Sequence, residues 1–214
     1  MSARVWSWAS EKGGVGKTTN VINVGCQLTR MGKDVLLVDA DPHKSVASWS
    51  AMAGDKPNLP AVVELTGSLK NDIPKLRRRF DYILIDCEGT LNTTSMDALK
   101  VSDMMVVPYT PSALDVWGNH SLIELIQARQ EVTDGQPQAV TILNMIDKRS
   151  RFHNEILETL SDYNMPVLKS RTSRLKAYVE TMVEGDTVTA LGEDNKATFE
   201  IKMLTKELLE FDKW

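Results

Sequence analysis

The chain has 214 residues, 42% hydrophobic and 25% charged, with a formal net charge of −4. That length supports one α/β domain with a sizeable core, and the charge excludes a polycation, so any contact with nucleic acid must come from a local patch. The two cysteines, Cys26 and Cys87, lie far apart and have no metal-ligating neighbour at useful spacing, which points to buried thiols in a reducing compartment.

Met1-Ser2-Ala3-Arg4 leads directly into a short apolar run, Val5 to Ala9, so no secretory leader is expected. No apolar run is long enough to span a bilayer. Next comes Glu11-Lys12-Gly13-Gly14-Val15-Gly16-Lys17-Thr18-Thr19, followed by a helical pattern carrying Val21, Val24, Leu28 and Met31. Strand, glycine loop and helix form the context of a phosphate-binding loop. Glycines let backbone amides approach phosphate oxygens, and the positive end of the helix faces the anion. Gly13, Gly14, Val15, Gly16, Lys17, Thr18 and Thr19 are therefore the expected nucleotide-binding residues. Lys17 reaches the β- and γ-phosphates, and the Thr18 hydroxyl binds Mg²⁺. The common motif asks for glycine at position 11; this chain has Glu11, whose carboxylate should turn away from a triphosphate.

The pattern then alternates. Val35–Val38 reads as a strand ending in Asp39-Ala40-Asp41-Pro42, and Lys44–Met52 as a helix. Val62–Leu65 is a short strand, Ser68–Arg79 a basic helix, and Tyr82–Ile85 a strand ending at Asp86. A helix over Thr93–Val101 and a strand over Met104–Val107 follow. The spacing predicts a long helix from about Ala113 to Val132, then a strand over Ala139–Met145, a helix over Phe152–Tyr163 and a short strand over Pro166–Leu168. Helices near Leu175–Val183 and Thr198–Phe211 close the chain. Continuous apolar strands separated by helices imply a doubly wound, mostly parallel sheet with helices on both faces. Such sheets bind ligands beyond the carboxyl ends of their strands. No repeat or linker divides residues 1–214, so a single domain is expected. Asp86, an acid after four apolar residues, has the form of a Walker B element and is expected near the Mg²⁺ through a water.

A loop with a second lysine, here Lys12, resembles the deviant Walker A motif of the ParA/MinD family of ATPases. The likeness runs through nearly the whole chain: Asp39-Ala40-Asp41-Pro42, Gly89 and Thr90, Pro108 to Asp115, Asn144, Thr172-Ser173-Arg174, Tyr178, Gly185-Asp186 and Val188. It implies a P-loop NTPase fold and a slow, Mg²⁺-dependent ATPase, with ATP and Mg²⁺ as ligands. By resemblance, Lys12, Lys17 and Asp41 are catalytic, Asp41 acting on the attacking water. Asp39 supports the metal with Thr18 and Asp86, and Asn144 contacts adenine. Glutamine usually follows the proline in this family; here it is His43.

The resemblance also implies that Lys12 crosses to the nucleotide of a second subunit, giving a homodimer in the ATP state. The chain looks most like the small plasmid-partition members. These bind DNA without sequence preference, position plasmid, chromosome or other cargo, and are stimulated by a ParB-like adaptor. Arg149, Arg171, Arg174 and Lys176, with Lys148, Arg151, Lys169, Lys196 and Lys202, are the candidate DNA patch. The expected location is the cytoplasm, on the nucleoid in the ATP state. The alternatives are a membrane-cycling ATPase of the MinD kind and an ATPase that positions a protein organelle such as a carboxysome. The tail Leu204 to Trp214 carries acids that anionic lipid would repel, so membrane is not the expected partner.

Overall fold

The computed structural model describes residues 2–112, 118–147, 157–158 and 160–213. Seven strands, β1 (Arg4–Trp8), β2 (Val35–Asp39), β3 (Ala61–Glu64), β4 (Tyr82–Asp86), β5 (Met104–Tyr109), β6 (Gln138–Ile146) and β7 (Val167–Ser173), form one sheet. Their order is β3-β2-β4-β1-β5-β6-β7, and every pairing is parallel. The helices are α1 (Lys17–Arg30), α2 (Ser45–Ala53), α3 (Leu69–Leu76), α4 (Thr93–Val101), α5 (His120–Glu131), α6 (Lys176–Val183) and α7 (Lys196–Phe211).

Apolar residues on both faces of a strand need a cover on each side, and the chain supplies two cores. Val5, Val38, Ile83, Ile85 and Met105 pack with Leu69 and Ile73 of α3, Ala98 and Leu99 of α4, and Leu122, Ile123 and Ile126 of α5. Trp6, Trp8, Leu37, Leu84 and Met104 pack with Val21, Ile22 and Leu28 of α1, Val46 and Trp49 of α2, and Ile201, Leu204 and Leu208 of α7. Alternate residues of one strand thus feed opposite cores, as the two-residue period of a strand requires. This is the α/β, doubly wound P-loop arrangement expected from the sequence.

Some element boundaries shift from the sequence pattern, the basic helix for one ending at Leu76 rather than Arg79, and parts of two expected helices lie outside the described residues. The helix expected from Ala113 begins at His120; residues 113–117, including Leu114 and Asp115, lie outside the described residues. Of the helix expected over Phe152–Tyr163, residues 152–156 and 159 also lie outside them, and 157, 158, 160 and 161 are helical. The strand expected over Pro166–Leu168 continues to Ser173. Its second half, Lys169-Ser170-Arg171-Thr172-Ser173, is polar because β7 is an edge strand. There the Glu207 carboxylate of α7 accepts from the Lys169 and Ser170 amides at 2.8 and 2.7 Å.

The topology places the site. From β1 the chain runs to β2 and β3 on one side, returns through β4, and crosses to β5 on the other. The reversal opens a crevice beyond the carboxyl ends of β1 and β4. In register, Asp86 lies beside both Trp8 and Asp39, so both acids and the loop that follows β1 meet at one sheet edge.

Candidate functional site

Gly16 joins the loop to α1 with φ of 88°, a left-handed conformation that a side chain disfavours. From the first turn of α1, Thr18 Oγ1 donates to Asp86 Oδ2 at 2.6 Å. The other carboxylate oxygen, Asp86 Oδ1, is buried with no hydrogen-bond partner among the described residues. Burial pushes the Asp86 carboxyl up to about 7, with Asp39 adding to the rise, although the Thr18 hydrogen bond opposes it. A buried acid with an orphaned oxygen beside a threonine hydroxyl suits a hard divalent cation completed by phosphate and water oxygens. The residues present therefore fit Mg²⁺.

Lys17 is almost fully buried, and its Nζ donates to the Lys12 carbonyl at 3.1 Å. Burial lowers its ammonium below the ordinary lysine value, against the raising pull of Asp86. Gly89 closes over the loop: a Cβ there would stand 3.4 Å from Gly13 N and from Lys17 Nζ. Gly13, Gly14, Gly16, Lys17, Thr18, Thr19, Asp41, His43, Glu88, Gly89 and Thr90 thus surround one cavity of about 580 Å³. The Lys12 ammonium makes no hydrogen bond or ion pair among the described residues, so its only fixed part is the backbone.

Asp39 lies at the end of β2, and burial raises its carboxyl above the usual value. Its Oδ1 accepts from Asp41 N at 3.3 Å and its Oδ2 from Ala47 N at 2.9 Å. Both oxygens help shape the segment from β2 into α2, and Asp39 stands beside Asp86 in register. Asp41 Oδ1 accepts from His43 N at 2.8 Å and faces His43 Nδ1 at the same distance. The histidine that replaces the family's glutamine thus touches the residue expected to act on water.

Glu11 turns away from the loop, and its partner lies in the same chain: its Oε1 accepts from Leu122 N of α5 at 2.8 Å. Asn144, the residue expected at adenine, braces the loop from behind, donating through Nδ2 to the Val15 carbonyl at 2.6 Å and accepting from Thr172 Oγ1. It also lines a second cavity of about 880 Å³, which adjoins the first through Thr19, His43, Ser45 and Met145. The walls of this larger cavity include Asn20, Trp49, Tyr178 and Met182, residues with no sequence signal for binding. Met145 holds φ of 55°, uncommon for a residue with a side chain, at the point where the two cavities join.

Arg174 and Lys176 stand at the wall of that cavity. Lys196 pairs with the buried Glu200 at 3.2 Å, and Lys202 pairs with Glu193. Arg171 is exposed on β7. Lys148, Arg149 and Arg151 lie outside the described residues. No helix among the described residues is long and apolar enough to cross a membrane.

A family model of the CobQ/CobB/MinD/ParA nucleotide-binding domain matches residues 6–188. The maintenance of carboxysome distribution protein A of Halothiobacillus neapolitanus is 29% identical over 206 residues, covering 94% of this chain and 94% of that protein. Protein ParA of Rhizobium radiobacter is 30% identical over 150 residues, covering 68% of this chain and 66% of that protein. Among solved structures, cobyrinic acid a,c-diamide synthase of Mycobacterium smegmatis, bound to an ATP analog and magnesium, superposes with a TM-score of 0.77. It is 22% identical and covers 97% of this chain and 94% of that one.

Proposed function

Because the chain belongs to the CobQ/CobB/MinD/ParA nucleotide-binding family, we propose that it is a Mg²⁺-dependent ATPase whose nucleotide state governs the pairing of two subunits and thereby the position of a cargo. The observation that carries this reading is the pairing of Thr18 with Asp86 at 2.6 Å beneath the glycine loop, with Asp86 Oδ1 left unpartnered. Thr18 and Asp86 would hold Mg²⁺, which neutralises charge on the transferring phosphate. The loop amides and Lys17 bind the triphosphate. Asp41, fixed by its contacts with His43, orients the attacking water. Asp39 holds the Asp41 segment and α2 in place.

Lys12 carries the step from nucleotide to assembly. Two triphosphates facing each other across a dimer concentrate like charge, and one ammonium from each side offsets it. An ammonium with no partner among the described residues suits that role. The paired form binds DNA without sequence preference through Arg171, Arg174, Lys176 and the segment holding Arg149. A ParB-like adaptor then stimulates hydrolysis and release. The protein works in the cytoplasm, on the nucleoid while ATP is bound.

The likeness along 94% of both chains to a carboxysome-distribution protein favours a second cargo, a protein organelle, over a plasmid. Membrane cycling is less well supported: Ile201, Leu204 and Leu208 of α7 are spent on the core, and Arg4 Nε holds Asp212 at 2.9 Å. The deciding measurement is ATP hydrolysis with and without Mg²⁺, nonspecific DNA and the proteins encoded beside this gene. Stimulation by DNA plus one neighbour supports positioning; activity indifferent to both refutes it.

A further inference from the structure

An asparagine at a helix N-cap ordinarily accepts from an amide of its own first turn. Asn119, the N-cap of α5, makes no such bond. Its Oδ1 accepts instead from Glu11 N at 2.8 Å and from Ser10 Oγ at 3.0 Å. The Leu122 amide, third in α5, is capped in return by Glu11 Oε1 at 2.8 Å. This is the reciprocity of a capping box, but built between segments 111 positions apart. The Glu11 carboxylate also lies at the positive end of the helix, where negative charge is favoured. Ser10 Oγ then accepts from Lys12 N at 3.1 Å. The amides of Glu11 and Lys12 are therefore committed toward α5, and those left for an anion begin at Gly13.

We propose that Glu11 is a positioning residue: by capping α5 it fixes the backbone from which the Lys12 side chain departs, and it couples the phosphate loop to α5. This rests on the reading that Lys12 serves the partner's nucleotide. An arm of four methylenes reaches a target across an interface only if its root is held. A glycine at position 11 would remove the tie to Leu122 and leave that root held by Asn119, Ser10 and the Lys17 contact to the Lys12 carbonyl.

The test compares Glu11→Ala, Glu11→Gln and Lys12→Ala for binding of a fluorescent ATP analogue and for dimerisation with a non-hydrolysable analogue. Glu11→Ala should weaken dimerisation about tenfold while changing nucleotide affinity less than about twofold, and Glu11→Gln, which keeps an acceptor for Leu122, should recover most of the loss. A purely structural role would lower both affinities together and would overturn the proposal. If Lys12→Ala still dimerises, the reading of Lys12 itself fails. If Lys12→Ala abolishes pairing and Glu11→Ala pairs as tightly as the parent, only the role of Glu11 fails. Should Glu11→Ala not fold, amide exchange in the parent protein decides. The Leu122 amide should exchange at least about tenfold more slowly in the ATP dimer than in the nucleotide-free protein, and an unchanged rate overturns the coupling.

Discussion

The side-chain amide of Asn144 donates to the Val15 carbonyl at 2.6 Å, so the end of β6 holds the phosphate loop from behind. An ideal Cβ on Gly16 would lie 2.2 Å from Asn144 Nδ2, and Gly16 already holds φ of 88°. Gly16→Ala is therefore expected to abolish nucleotide binding. Asn144→Asp turns an acceptor toward a carbonyl and should destabilise the fold by about 1–3 kcal/mol, more than Asn144→Ala does. Urea midpoints and nucleotide titrations check both.

Lys12 has no partner for its ammonium within the described chain. Lys12→Ala should bind ATP but remain monomeric with a non-hydrolysable analogue, as read by light scattering. A dimer of unchanged affinity would remove Lys12 from the interface.

Asp86 meets the phosphate site through Thr18 and one orphaned oxygen. Asp86→Asn keeps the shape and loses the charge. Mg²⁺-dependent hydrolysis should fall about 10–100-fold, the range for groups that orient a metal's ligands. Steady-state rates across a Mg²⁺ titration give the answer.

Gly185 abuts the end of α2: a Cβ there would lie 2.5 Å from Ala53 N, and its φ is 61°. Trp49 Nε1 of α2 donates to the neighbouring Asp186 carbonyl at 3.1 Å. Gly185→Ala should cost about 2–4 kcal/mol of stability through strain and displacement of α2. Denaturant unfolding measures it, and a loss below about 0.5 kcal/mol would mean that α2 moves freely.

Burial pushes the thiols of Cys26 and Cys87 up to about 12, well above the ordinary thiol range. Both should resist a thiol reagent at neutral pH and react only in denaturant. The sign for stability follows from the raised values. The folded state keeps its protons where the unfolded chain loses them, so the contribution is full below pH 9 and is lost as pH rises toward about 12. Melting temperatures across that range check the direction.

Much of the site was legible because its chemistry is local. Glycines beside Lys17 and Thr18, between an apolar strand and a helix, have the pattern of a phosphate loop, and the structure gathers them around one cavity. The acids Asp39 and Asp86 end apolar runs, and parallel pairing carried them to one edge in register. The polar half of β7 was not legible, because an edge strand has no need of a continuous apolar run.

The amino-acid order determined the strands, the loop and the acids that could serve it, since each depends on neighbours a few positions away. Only the tertiary structure decided what Glu11 caps, that Asn144 braces the loop, and that α2 rests on Gly185. Those partners lie more than a hundred positions apart in each case. Which of many equivalent amides and carbonyls meet is set by the order of strands in the sheet, and that order is a property of the packed whole.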